Sequence, residues 1–173
     1  MRNGMTVVIL AAGLAACAAH AAPPPAPAPR ADLQAGIDLY NAGQYAEAEA
    51  ALRDDAQPRA RAYRAAALAK LKRYAEAEAL ANGVLESSRT DDMAVQALGQ
   101  ALVSQEKIDE AVARLSAAIA AKPDLAYAYY WRGQAYDKQK KASSMASDFQ
   151  AFLKLAPNAP EAKLVQAVLA GLR

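Results

Sequence analysis

The chain predicts an all-α protein, a solenoid of stacked helical hairpins. Three observations carry this. The stretch Ala126–Ala159 reads as one complete hairpin. Tyr129, Gly133 and Tyr136 share a face of its first helix, and Met145, Phe149, Phe152 and Leu153 keep the helical period in its second. Pro157 then stops that second helix, because it lacks an N–H and restricts the residue before it. A glycine inside a helix costs about 1 kcal/mol against alanine, so Gly133 implies close approach of a second helix, which Met145–Leu155 supplies. The second observation is that the pattern recurs at a period of 34 residues. Asp92–Leu125 places Val95, Leu98, Gly99, Leu102, Ala111, Leu115, Ala118 and Pro123 in register, and Pro58–Asp91 places Ala65, Leu68, Tyr74, Ala77, Ala81 and Val84 there. A shortened copy in Leu33–Gln57 supplies Gly36, Leu39, Gly43, Tyr45, Ala48 and Leu52. The third is an internal duplication: Tyr-Ala-Glu-Ala-Glu-Ala begins at both Tyr45 and Tyr74.

These residues resemble the tetratricopeptide repeat. That family sets a large residue fourth, a small one eighth, an aromatic eleventh, a small one twentieth, an aromatic or Leu twenty-fourth, a small one twenty-seventh and Pro thirty-second. Tyr129, Gly133, Tyr136, Met145, Phe149, Phe152 and Pro157 hold those places in the last copy. Met145 and Phe152 depart from the small residues usual there, and Arg132 replaces the Leu of the seventh place. In the copy beginning at Pro58, Arg61 and Arg64 occupy apolar places and Arg89 stands for the proline. The resemblance implies an αα-hairpin superhelix of about three full repeats, one shortened N-terminal repeat and a C-terminal capping helix.

The elements follow in order. Residues 1–16 predict an export signal: Arg2, then the apolar run Met5–Ala16. The run is shorter than the roughly 20 apolar residues of a spanning helix. It ends in Leu14-Ala15-Ala16-Cys17, which resembles the bacterial lipobox and implies lipid attachment at Cys17. The alternative is ordinary secretion with cleavage after Ala19-His20-Ala21, which would discard Cys17. In the lipoprotein reading, Ala18 after the cysteine implies the outer membrane, facing the periplasm. Residues 17–30 form a tether, because five prolines within Ala22–Arg30 favour extended polyproline II. The remainder, 31–173, is the repeat domain, with repeats at about 31–57, 58–91, 92–125 and 126–159 and a cap at 160–172. Helices are expected at about 31–42, 45–54, 58–71, 74–87, 92–105, 108–121, 126–139 and 142–155. Asp91 and Asp124 stand where helix caps or first-turn carboxylates serve. The pairs Asp54-Asp55 and Asp91-Asp92 read as caps and turns more readily than as a metal or acid/base site. Pro160 suits the first turn of the cap, whose apolar stripe is Leu164, Val165, Val168 and Leu172.

Composition narrows the chemistry. The net charge of +2 is too small to point to nucleic acid. The one Cys and one His, Cys17 and His20, both precede the repeats. The repeats therefore offer no disulfide, zinc site or Cys/His dyad, and no cofactor is implied.

In the resembled family the second, fifth, ninth, twelfth and thirteenth places line a concave groove. The last two repeats put Met93, Gln96, Gln100, Tyr127, Tyr130, Gln134 and Lys138 at such places, which implies a groove for a partner peptide or helix. The alternative is that Tyr127 and Tyr130 cover the neighbouring helix. Ala62 and Ala66 stand where chaperone-binding members carry the Lys and Asn of a carboxylate clamp, so that specialisation is not expected. Between Gln57 and Ala75 lie Arg59, Arg61, Arg64, Lys70, Lys72 and Arg73 with no acid before Glu76. This run is either a basic patch for an anionic partner or a solvated face whose arginine stems cover apolar surface. The expected function is a non-enzymatic adaptor or scaffold of the bacterial envelope, held to a membrane by its lipid and binding a protein partner. The alternatives are a soluble periplasmic helper and a wall-modifying hydrolase. The hydrolase needs a nucleophile with a base or two buried carboxylates.

Overall fold

The computed structural model describes residues 33–172. The signal, Cys17 and the proline-rich tether lie outside them. The elements are α1 (Leu33–Asn41), α2 (Tyr45–Ala51), α3 (Pro58–Lys70), α4 (Tyr74–Ser87), α5 (Asp92–Ser104), α6 (Ile108–Ala121), α7 (Ala126–Lys138), α8 (Ala142–Leu155) and α9 (Ala162–Gly171). No strand occurs among the described residues. Each full hairpin pairs a first helix of 13 residues with a second of 14. First helices pack on their own partners and on the next first helix, while α4 packs on α5 and α6 on α7. This is the stacked solenoid that the 34-residue period predicts.

The hairpin turns repeat in a way the sequence conceals. After α1 the chain turns through Gly43 at φ 79°, and after α3, α5 and α7 it turns through Lys72, Glu106 and Lys140 at φ 62°, 58° and 61°. At each turn the next N–H bonds back to a carbonyl five residues earlier: Gln44 to Leu39, Arg73 to Leu68, Lys107 to Leu102 and Lys141 to Tyr136, all at 2.9 Å. This is a Schellman closure, which gives partners to helix-end carbonyls otherwise left unpaired. Those bonds offset the strain of the left-handed conformation at three non-glycine residues.

Several expectations need correction. Helix α2 stops at Ala51 instead of 54, because Leu52 turns inward beneath Gly36 and is fully buried. Asp55 then shapes the following turn, accepting the Gln57 N–H at 2.9 Å. Asp91 does cap α5, accepting the Ala94 N–H at 2.9 Å. Asp124 caps nothing: Leu125 precedes α7, and no side chain closes that helix end. Pro160 lies in the turn before α9 and outside its first turn. The stripe on α9 is mostly uncovered, with Leu164 at 59% exposure and Val165 at 1%. Helix α9 packs on α8 and presents only one edge to it, so Val165 and Leu169 reach the Phe152 cluster while Leu164, Val168 and Leu172 face outward.

Alanine sets the spacing of the first helices. Ala60, Ala62, Ala65, Ala67 and Ala69 of α3 and Ala94, Ala97 and Ala101 of α5 are fully buried. The last hairpin fills its interior with Tyr130, Met145, Phe149 and Phe152, joined by Val165 of α9. Two of the helix-interior glycines, Gly99 and Gly133, meet different neighbours. A Cβ on Gly133 would lie 2.6 Å from the Phe149 ring of its own hairpin, as expected. One on Gly99 would lie 2.7 Å from Trp131 Cβ, so this glycine fits α5 against α7 of the next repeat and not against its own partner helix. Gly99→Leu should therefore overpack an inter-repeat contact and cost about 1–3 kcal/mol, read from urea melts. A melt unchanged by the substitution would place the contact elsewhere.

Candidate partner-binding groove

The seven groove residues do not form one surface. Three come together at the N-terminal ends of α5 and α7. Met93 and Gln96 of α5 and Tyr127 of α7 line a cavity of about 340 Å³, whose wall is completed by Leu155 at the end of α8. Asp92 and Asp124 stand on its lining as well. Helix geometry explains the grouping, since the second place of each repeat lies in the first turn of its first helix and successive first helices lie side by side.

The Tyr127 hydroxyl donates to Glu161 Oε2 at 2.9 Å, tying this wall to the turn before α9. Burial and the Glu161 carboxylate together push the Tyr127 pKa well above its ordinary value, so the hydroxyl stays a donor. Glu161 stands 34 residues after Tyr127, at the second place of a fifth, incomplete repeat. Extending the period one step beyond Ala159 would have marked it as a groove residue.

The other four are committed elsewhere. Tyr130 is only 7% exposed and packs against Phe149, Phe152 and Trp131, with ring centroids 6.1, 5.1 and 5.0 Å away. It serves the core, as the helix-covering alternative held, and burial raises its hydroxyl pKa. Gln100 reaches across to α3, its amide donating to the Ala69 carbonyl at 3.3 Å. Lys138 pairs with Glu106 at 2.7 Å on the surface. Gln134 is half-buried beside Tyr130.

Part of the basic run is spent on contacts within the protein, while Arg59, Lys72 and Arg73 stay exposed. Glu49 of α2 is buried, and Arg53, Arg64 and Arg73 converge on it at 2.7, 2.9 and 3.8 Å. The hydrogen bond from Arg53, with that from Arg64, outweighs burial and holds the Glu49 carboxyl below its ordinary pKa. Arg73 also clasps Glu76 with two bonds, at 2.7 and 2.6 Å. Arg61 lays its guanidinium against Gly83. The two arginines that break the apolar pattern of this repeat, Arg61 and Arg64, thus occupy the space that apolar side chains would fill. Among the described residues no cluster of His, Cys, Asp and Glu could hold a metal, and no helix is long and apolar enough to cross a membrane.

Comparison with known families fits this geometry. One family model, described as a tetratricopeptide repeat, matches residues 33–92, and another, described as a TPR repeat, matches residues 99–140. Together they span more than half of the chain. The chain is a tetratricopeptide-repeat protein. It is similar to TTC0263, a TPR protein of Thermus thermophilus, with 20% identity, a TM-score of 0.69 and coverage of 81% of this chain and 78% of that one. It is also similar to MamA from Desulfovibrio magneticus RS-1, residues 41 to the end, with 25% identity, a TM-score of 0.58 and coverage of 80% and 85%. A third similar structure is YrrB, described as a TPR protein with an unusual peptide-binding site, at 18% identity and a TM-score of 0.59 over 79% and 75% of the two chains. The search of curated proteins found no match. Proteins of this family bind protein or peptide partners and are in general non-catalytic adaptors, so the geometry belongs to a protein–protein interaction module.

Within the tetratricopeptide-repeat register, two of the places read as departures have structural employment. Phe152, at the twenty-seventh place, supports the rings of Tyr127 and Tyr130, 5.7 and 5.1 Å away. Arg132, at the seventh, makes two 2.8 Å bonds to Asp148 and one of 3.0 Å to Ser116. It ties three helices, α6, α7 and α8, together.

Proposed function

We propose that this protein is a non-enzymatic adaptor of the bacterial envelope that holds a segment of a partner protein at the cavity between α5 and α7. The observation that carries the reading is the composition of that cavity. Met93, Gln96 and Tyr127 offer an apolar and amide-lined recess drawn from two successive repeats, and Asp124 puts negative charge on its lining beside Asp92, which pairs with Lys122 at 3.4 Å. Glu161 holds the Tyr127 hydroxyl by accepting its hydrogen bond at 2.9 Å. A recess of this kind suits an apolar side chain flanked by a basic one, with the tyrosine ring as a flat anchor. YrrB supports the reading only as a relative in fold.

The Leu14-Ala15-Ala16-Cys17 stretch supports export and lipid attachment at Cys17, and Ala18 after it favours the outer membrane as the site of anchoring. A soluble periplasmic helper differs from this in the anchor alone. Stable anchoring takes two acyl signals, so detergent partitioning of mature protein, with Cys17→Ala as comparison, separates the two.

The test of the groove is capture of a partner from envelope extract by the immobilised protein. Met93→Glu with Asp124→Lys should weaken capture at least tenfold while the far-ultraviolet helical signal stays unchanged. Tyr130→Ala is unsuitable as the probe, because Tyr130 lies in the core. Capture kept by the cavity pair but lost with Arg59→Glu and Lys72→Glu would move the site to the basic run and overturn the assignment.

A further inference from the structure

We propose a second binding site, for a fatty-acid carboxylate, in the crevice floored by α5 between α4 and α6. The same repeat places recur along the solenoid and are filled differently each time. In the first full repeat, Arg61 and Arg64 hold the fourth and seventh places, and Arg64 is bonded to the buried carboxylate of Glu49. In the last, Tyr129 and Arg132 hold them, and Arg132 is locked to Asp148. The middle repeat has Val95 and Leu98 at those places. Where the last hairpin inserts Phe149 and Phe152, the middle one has Leu115 and Ala118. The volume that Arg64 and Arg132 take up with their ion pairs elsewhere is left here as an apolar cavity of about 300 Å³, lined by Val95, Leu98, Leu115 and Ala118 among others.

Two guanidinium groups belong to the same lining. Arg89 lies in the turn after α4, at the place where the later repeats carry Pro123 and Pro157, and it is exposed. Arg114 projects from α6, exposed, with Nη2 donating to Asn82 Oδ1 of α4 at 2.6 Å. The lining holds no carboxylate. An apolar floor with two arginines beside it matches a ligand that is hydrocarbon along its length and a planar anion at its end. The chain gains by leaving water, and a carboxylate accepts paired N–H bonds from guanidinium. The site shares no lining residue with the cavity of Met93 and Tyr127 except Val95, whose side chain is buried between them.

The test uses the full chain and dodecanoate below its micelle-forming concentration, followed by titration calorimetry. Saturable binding of one molecule per chain is expected. Arg89→Glu with Arg114→Glu should weaken it at least tenfold, and dodecanol should bind at least tenfold more weakly than dodecanoate. Ala118→Phe, which copies Phe152 of the next repeat, should abolish it. Met93→Glu with Asp124→Lys should leave it unchanged, which separates this site from the partner groove. Absence of saturable binding, equal affinity for dodecanol, or undiminished binding by Ala118→Phe would each overturn the proposal. Should Ala118→Phe not fold, the two surface arginine substitutions still decide it.

Discussion

Asp148→Ala should cost about 3–5 kcal/mol, the usual consequence of removing one partner from a buried ion pair. The Asp148 side chain is 6% exposed and that of Arg132 is 17%. Both carboxylate oxygens accept from the guanidinium at 2.8 Å. Without the carboxylate, Arg132 keeps Ser116 and the faces of Tyr129 and Tyr136, about 5.7 and 5.8 Å from its charge. These do not replace an anion for a group withdrawn from water. Arg132→Leu with Asp148→Ala should recover part of the loss, because it strands no charge and an uncharged side chain, Leu98, holds the equivalent place one repeat earlier. Urea unfolding of the two single variants and the double variant, taken as a cycle, isolates the pair. A double variant as unstable as Asp148→Ala would show that packing, and not stranded charge, is what the single change removes.

Phe152→Ala should cost a similar amount, about 3–5 kcal/mol for a buried phenylalanine cut to alanine. Phe152 is fully buried. Its ring supports Tyr127 and Tyr130 on one side, and its cluster includes Val165, which docks α9. The loss should therefore be distributed unevenly. Hydrogen exchange should quicken across α7, α8 and α9 while α3 and α4 keep their protection, because each repeat of a solenoid contacts only its neighbours. A destabilisation below about 1 kcal/mol would mean that the surrounding rings collapse into the space. Uniform loss of protection would mean that the hairpins unfold as one unit.

The architecture was legible because it is written several times. The 34-residue period, the interior glycines and the terminal prolines set out the order of the hairpins, and most helix ends fell within a residue of expectation. The misses have local physical causes. The end of α2 depends on Leu52 turning inward beneath Gly36, a contact between two helices that no periodicity contains. Asp91 directly precedes its helix and caps it, whereas Leu125 stands between Asp124 and α7, and only the observed backbone separates the two cases. Lys72, Glu106 and Lys140 adopt the conformation favoured by glycine, as Gly43 does, with nothing in their side chains to announce it.

The groove was less legible. A repeat place specifies the direction of a side chain relative to its own helix. Whether that direction ends in solvent or in another ring depends on the neighbour. Tyr127 and Tyr130 are both groove places by register, yet Phe149 and Phe152 enclose Tyr130, and Tyr127 turns its hydroxyl to Glu161. Helices, their pairing and their stacking could be read from the residues alone, since these follow from local period and from small side chains where backbones must approach. Three things emerged only with the folded chain: which arginines are committed to buried carboxylates, which crevice stays empty and which groove residues meet. Each depends on the volume and charge that a residue of another helix brings to the same place.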